Sequence, residues 1–332
     1  MKRIAIHGFG RIGRSTTRAA LANGLFVPYS ISDITDPSTL AALFGYDSNY
    51  GPWHEPVSFA GDKFKIGGRE IRFFNSAKEL PNWAELEVAL VVDCTGRATK
   101  REFAQAHLDR GAKTVLVSAP SKSMQDCDAV LLPGINLDSY DPSKHHIVSM
   151  ASCTTNAIAP VVKVLRDKFG IKTGLFSTVH AYTNTQSLTD QPMKDRRDSW
   201  AATENIIPSS SGAAKSLKFI WPDLDITGKA YRVPVRTGSI VELNVVLNRN
   251  TTVEEVCDTF RKAASEPAMK GIMGVLDEEY ASARILGEKH SSIVDLPITQ
   301  VMGGNLLSIA AWYDNEMGYS TRLAETAVRL LN

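Results

Sequence analysis

The chain has 332 residues, 43% of them hydrophobic and 22% charged, and its 37 basic and 36 acidic side chains leave a formal net charge of +1. That length exceeds what one small core organises and points to two domains, while the near-zero charge argues against a protein built to hold nucleic acid or anionic lipid. Four widely spaced cysteines (Cys94, Cys127, Cys153, Cys257) with no CxxC pair argue against a disulfide framework or zinc cluster and fit reduced thiols in the cytoplasm.

The opening MKRIAIHGFG lacks the apolar core of a secretory signal. It passes straight into a buried-strand pattern at residues 3–7. A helix follows from Arg11 to about Ala22, stopped by Asn23-Gly24, and residues 26–32 read as a second strand. Asp36-Pro37 supplies an N-cap and a first-turn proline for a short helix. Between Val57 and Phe74, Gly61-Asp62 and Gly67-Gly68 separate alternating segments, which predicts an antiparallel meander. Residues 89–94, 114–118 and 147–150 resume the strand pattern, and a long helix runs from Cys153 to Phe169, closed by Gly170.

Longer strands are predicted at residues 174–182, 241–247 and 306–313, with few helices between them. An amphipathic helix opens at Thr252 with Glu255 as its capping-box partner, and residues 316–331 are again helical. Residues 183–211 have no clean period, and loops of that length are usually functional or interface-forming. No apolar run reaches membrane-spanning length, since AIAPVVKVL is broken by Lys163. The expected fold class is α/β: a Rossmann-type doubly wound parallel sheet, plus an α+β catalytic domain with a mostly antiparallel sheet.

Gly8, Gly10 and Gly13, with Arg11 and Ile12 between the last two, form GFGRIG between a predicted strand and a predicted helix. Glycines there permit a tight turn and let a pyrophosphate approach the helix N-terminus. GxGxxG alone is a weak signal, but Asp33 ends the second strand at the spacing from which an acid reaches a ribose hydroxyl. A carboxylate in that position favours NAD over NADP, because it repels a 2′-phosphate.

In Ser149-Met-Ala-Ser-Cys-Thr-Thr-Asn156 a strand gives way to a helix at Cys153. Unpaired N–H groups and the positive field of a helix start stabilise a thiolate, and the same groups can hold an oxyanion. The other three cysteines read as small buried hydrophobes. Such a thiol needs a base, and His180 in STVHAYT is the candidate, although a lone histidine at a strand end is more often structural. No HExxH or other ligand spacing occurs, so no catalytic metal is expected.

At this point the motifs GFGRIGR (8–14), SCTTN (152–156), HAYT (180–183), SSSGAAK (209–215), RVPV (232–235) and WYDNEMGYS (312–320) resemble the glyceraldehyde-3-phosphate dehydrogenase family nearly end to end. The resemblance implies a homotetramer and a discontinuous NAD-binding domain, residues 1–152 completed by the helix 316–332, with a catalytic and tetramerisation domain at 153–315. It makes Cys153 the nucleophile and His180 its activating partner. Thr95, Ser118, Asn315 and Tyr319 join Arg11, Ile12 and Asp33 at cofactor-contacting positions. Ser152, Thr154, Thr183, Arg197, Ser211, Gly212 and Arg232 match positions that bind the substrate phosphate and inorganic phosphate, a task suited to hydroxyls, N–H groups and arginine forks.

The chain departs from the family pattern at His7 and Ser32 (usually Asn), Ser76 (usually Arg or Lys), Met150, Ala157, Asp198, Trp200 and Arg236. Asp198 lies beside an anion site and is expected to pair with Arg196 or Arg236. The reading is an aldehyde dehydrogenase that phosphorylates its product, with glyceraldehyde 3-phosphate as default substrate. An erythrose 4-phosphate dehydrogenase and a non-catalytic binding protein on the same fold are the alternatives.

Overall fold

The computed structural model describes residues 2–331. The chain divides into two compact units, one running through Ala151 and resuming at Ser320, the other spanning Ser152–Tyr319.

The first unit is built on a nine-stranded sheet. Its middle strand, Arg3–His7, pairs in parallel with Ser30–Asp33 on one side and Val88–Asp93 on the other. Thr114–Val117 and Ile147–Ser149 extend the parallel array beyond Val88–Asp93. Val88–Asp93 and Thr114–Val117 are nearly continuous apolar runs, as strands covered on both faces of a parallel sheet are, whereas Ser30–Asp33 buries its two serines. The strand order reverses at Arg3–His7, which is where a doubly wound sheet opens its binding crevice. The meander is present as Val57–Ala60, Lys63–Ile66 and Arg69–Asn75, with Gly61 and Gly67 at positive φ in its turns. Its last strand also pairs in parallel with Ser30–Asp33 and so completes the sheet.

One strand start and one helix depart most from the sequence reading. The second strand begins at Ser30, not at residue 26. Pro28 has no N–H for the ladder, and Leu25 and Phe26 instead pack on Ala19, Ala20 and Ala324. The helix Arg101–Asp109 was not foreseen in the sequence.

The second unit packs the helix Cys153–Lys168 against a seven-stranded sheet. Four strand pairs are antiparallel and two, Ile171–Ala181 with Ile226–Val233 and Met273–Leu276 with Ser292–Met302, are parallel. The first parallel pair sets His180 opposite Arg232. Periodicity alone did not single out Ile226–Val233, Ser292–Met302 or the helix Ala213–Ile220. At Thr252 half of the expected capping box forms: its hydroxyl accepts from Glu255 N at 3.2 Å, but the Glu255 carboxylate turns to Arg249 and Thr251. The complete box lies at Ser152 and Thr155. The last helix, Met317–Arg329, starts after Asp314, whose carboxylate accepts from the N–H groups of Glu316 and Met317 at 2.9 Å.

Candidate active site

The glycine loop sits at the end of the central strand of the first unit. Gly8 has φ 84°. A Cβ on Gly13 would lie 2.1 Å from Gly8 O, so only glycine lets the helix approach the strand. A Cβ on Gly10 would meet nothing within 4 Å: the loop presents open space there, as a pyrophosphate cradle requires. Asp33 Oδ2 accepts from Phe9 N at 2.5 Å and Oδ1 from Thr35 N at 2.9 Å. Burial alone would raise its pKa, but these donors hold it below the ordinary carboxylate value, so Asp33 is an anion aimed by the loop. Arg11 is tied to Asp47 at 2.6 Å, and Ser118 N donates to Asp93 O at 2.9 Å.

Thr95 is held by Asp93, whose Oδ1 accepts from Thr95 N at 2.9 Å and Thr95 Oγ1 at 2.7 Å. Asp93, His107 and His7 bring their ligand-type atoms within 4.8 Å of one another. Trp83 Nε1 donates to His107 Nδ1 at 3.0 Å, which makes Nδ1 an acceptor. The neutral ring then carries its proton on Nε2, 3.3 Å from Asp93 Oδ2. A metal at Nε2 would need an imidazolate, so these bonds serve Asp93 and, through it, Thr95. Burial pushes His7 down to about 4, and its Nδ1 meets Ser32 Oγ at 2.8 Å.

In the second unit Ser152 caps the long helix: its Oγ accepts from Thr155 N at 3.1 Å and meets Thr155 Oγ1 at 2.8 Å. Cys153 is therefore the first helical residue, and its Sγ lies 3.4 Å from His180 Nε2. Burial raises the Cys153 thiol, against the pull of the Arg232 charge and the Thr154 N–H. Burial, and then Arg232, lower His180 to about 3. Burial thus disfavours the charged form of each group.

Arg232 Nη1 is 2.6 Å from His180 Nδ1, and the same Nδ1 is 2.6 Å from Ala181 O. Tyr313, which the sequence reading did not single out, sets its hydroxyl between Thr154 Oγ1 (3.0 Å) and Thr178 Oγ1 (2.8 Å) and its ring edge-on to His180. Ser239 was also missed. It accepts from Ala181 N at 3.1 Å and donates to Asn315 Oδ1 at 2.9 Å, joined there by Thr237 at 3.3 Å. The one signal that could have marked it is the polar opening of a strand, TGSIVEL.

Cys153, His180, Arg232, Ser152 and Thr154 thus come together at one place. Thr183 bonds to Thr185 and Gln186, and Ser211 accepts from Ala213 N beside Gly212, at the start of the next helix. Arg197 is exposed in a single turn, Arg197–Ser199. Asp198 Oδ1 accepts from Gln186 Nε2 at 3.1 Å, a neutral donor in place of the expected arginine.

A Rossmann-type unit with its glycine loop and aimed carboxylate defines the class, a dinucleotide-dependent oxidoreductase. Residues 2–101 match the family model for the glyceraldehyde 3-phosphate dehydrogenase NAD binding domain, and residues 152–315 match that for the C-terminal domain. A glyceraldehyde-3-phosphate dehydrogenase of Kitasatospora aureofaciens is 46% identical over 331 residues, 98% of each chain. Those of Geobacillus stearothermophilus and Bacillus subtilis (strain 168) are each 44% identical, over 98% of this chain and 97% of theirs. The chain belongs to the glyceraldehyde-3-phosphate dehydrogenase family.

Proposed function

We propose that the chain oxidises glyceraldehyde 3-phosphate with NAD and inorganic phosphate to 1,3-bisphosphoglycerate. The observation that carries this reading is the 3.4 Å approach of Cys153 Sγ to His180 Nε2 at a capped helix start, beside the Arg232 guanidinium. Sγ adds to the aldehyde carbon as Nε2 takes the thiol proton, and helix-start N–H groups steady the oxyanion. NAD, when bound, accepts the hydride that turns the thiohemiacetal into a thioester. Inorganic phosphate then cleaves the thioester and frees Sγ. Arg232, Thr183, Ser152, Thr154, Ser211, Gly212 and Arg197 supply the two phosphate positions, and Gly8, Gly10, Arg11, Ile12, Gly13, Asp33, Thr95, Ser118, Asn315 and Tyr319 the cofactor contacts. The division of labour is an NAD-binding domain of residues 1–152 completed by 316–332 and a catalytic domain of 153–315. The unit boundaries at Ala151 and Ser320 support it.

The assembly is a homotetramer in the cytoplasm. Apolar side chains left open on one sheet support an oligomer, among them Leu175 (61% exposed) and Met302 (65%), the latter paired with Leu306. Among the described residues no helix is long and apolar enough to cross a membrane.

The test mixes protein, NAD and aldehyde with and without phosphate and follows NADH from the first turnover. A burst near one NADH per Cys153 that stalls until phosphate is added supports the reading, and Cys153→Ser should abolish it. Sustained turnover without phosphate, releasing a carboxylic acid, would make water the acceptor and overturn the phosphate assignments.

A further inference from the structure

His180 Nδ1 is pressed by two neighbours that make opposite demands on it. Ala181 O can only accept a hydrogen bond and lies 2.6 Å away; Arg232 Nη1 can only donate and lies 2.6 Å away as well. One ring nitrogen serves one of them at a time. The contact is built into the fold, because the parallel register sets Arg232 directly opposite His180. Charge decides which partner wins at rest. A hydrogen bond from a guanidinium is about twice as strong as one between neutral groups, so Nδ1 keeps its lone pair for Arg232. Nη1 also lies 3.3 Å from Ala181 O, which gives that carbonyl a donor in place of the ring.

The consequence falls on the other side of the ring. With Nδ1 accepting, the neutral imidazole carries its proton on Nε2, the atom 3.4 Å from Cys153 Sγ. In that tautomer the ring donates toward sulfur and cannot take the thiol proton. A second, independent feature points the same way: among the described residues, Arg232 Nε is buried without a hydrogen-bond partner. An oxyanion that met Nε and Nη1 together would satisfy the fork, as paired N–H groups do with phosphate.

We propose that Arg232 is a latch on the tautomer of His180, released by the phosphate of the bound substrate. The anion draws Nη1 off Nδ1. The ring proton passes from Nε2 to water, and water returns one to Nδ1, where it bonds to Ala181 O. Nε2 then faces Sγ with a lone pair. No electron changes hands, and the net change is one proton moved across one ring. The thiol is thereby kept unassisted until a phosphorylated substrate is seated, so free aldehydes and oxidants meet a resting cysteine. The proposal rests on the assignment of Cys153 and His180 as nucleophile and base.

The experiment uses the full chain with 15N-labelled histidine and no aldehyde, so its outcome is independent of the turnover assay. Long-range 1H–15N correlation spectra distinguish the two tautomers, and His180→Asn identifies the signal. Without anion the Nε2–H pattern is expected. Inorganic phosphate should convert it saturably to Nδ1–H, and sulfate, which offers the same fork of oxygens, should do likewise. Over the same concentration range, alkylation of Cys153 by uncharged iodoacetamide should rise by at least about tenfold, with the ~10²–10⁴ that a positioned base supplies as its upper range. Arg232→Gln should show Nδ1–H from the outset and ignore phosphate, whereas Arg232→Lys, which keeps the charge, should not start in that state. An Nδ1–H signal in the anion-free wild type, or no change of tautomer or alkylation at saturating phosphate, overturns the latch. A phosphate-dependent NADH burst alongside an unchanged tautomer would sink the latch and leave the proposed function standing.

Discussion

Asp33 shows how a single side chain is prepared before any ligand arrives. Its two oxygens are oriented by Phe9 N and Thr35 N, and those donors keep it ionised despite partial burial. Removing the carboxylate in Asp33→Ala should weaken NAD by about 1.5–3 kcal/mol, the range for a hydrogen bond to a charged group, or roughly 10–100-fold. Relief of anion repulsion should improve NADP at the same time. Fluorescence titration with both nucleotides checks this, and an unchanged ratio of affinities would remove Asp33 from the specificity argument. Residues of this kind are legible in a sequence because loop and acid follow each other along the chain in a fixed order. Arg232 is legible only as a phosphate-site match: it is 52 positions from His180, and strand register, which no local pattern encodes, makes the contact.

Among the elements, the helix start at Ser152 carries most of the chemistry and was recognised for its cysteine, not for its cap. A capping box was expected at Thr252, where Arg249 and Thr251 compete for the Glu255 side chain; at Ser152 a threonine in the third position closes the box instead. The hydroxyl of Ser152 holds the helix, and the proposed function gives it a second task at the phosphate, so substitution separates the two. Ser152→Ala loses both, at about 1 kcal/mol of stability. Ser152→Gly loses the hydroxyl, but an N-cap glycine costs only a few tenths of a kcal/mol. Equal rises in the phosphate KM with unequal losses of Tm are the expected outcome; a phosphate KM that tracks Tm would mean that Ser152 acts through the helix alone. Strand boundaries were read well where the apolar run is uninterrupted, as at Leu306–Tyr313, and poorly where Pro28 breaks the ladder. The parallel pairs of the second sheet were invisible because Ile226–Val233, Met273–Leu276 and Ser292–Met302 were not singled out as strands.

For the whole molecule, two histidines whose pKa burial lowers, His180 and His7, contribute to the behaviour in acid. His180 is lowered to about 3 and His7 to about 4, from an ordinary 6.5, chiefly by burial. Between those folded values and 6.5 the unfolded chain binds protons that the native chain refuses, so stability rises with pH through that window and falls as it is acidified. Tm should therefore decline from about pH 6.5 downward, and His7→Asn, which deletes one of the two groups, should flatten the decline. Calorimetric scans from pH 7 to pH 4 measure the slope; an identical slope in the variant would show that His7 does not contribute. The two-unit plan and both sheet types were legible from the switch between alternating and long-strand patterns. The tetramer was expected from resemblance alone, and the open apolar strand face that supports that proposal emerges once Leu175, Met302 and Leu306 are placed on one sheet.

The chain of bonds from Trp83 through His107 and Asp93 to Thr95 has a genetic consequence. Trp83 is wholly enclosed, and a variant such as Trp83→Phe would be classed by its position as a packing defect. Yet losing the indole N–H leaves His107 Nδ1 bare, frees the ring to take its other tautomer and withdraws the proton that Asp93 was receiving. The carboxylate that steadies Thr95 is then loosened from below. Through the cofactor contact proposed for Thr95, such an allele would present as poor coenzyme retention in a protein that is still folded, with its lesion in the core and its phenotype at the cofactor.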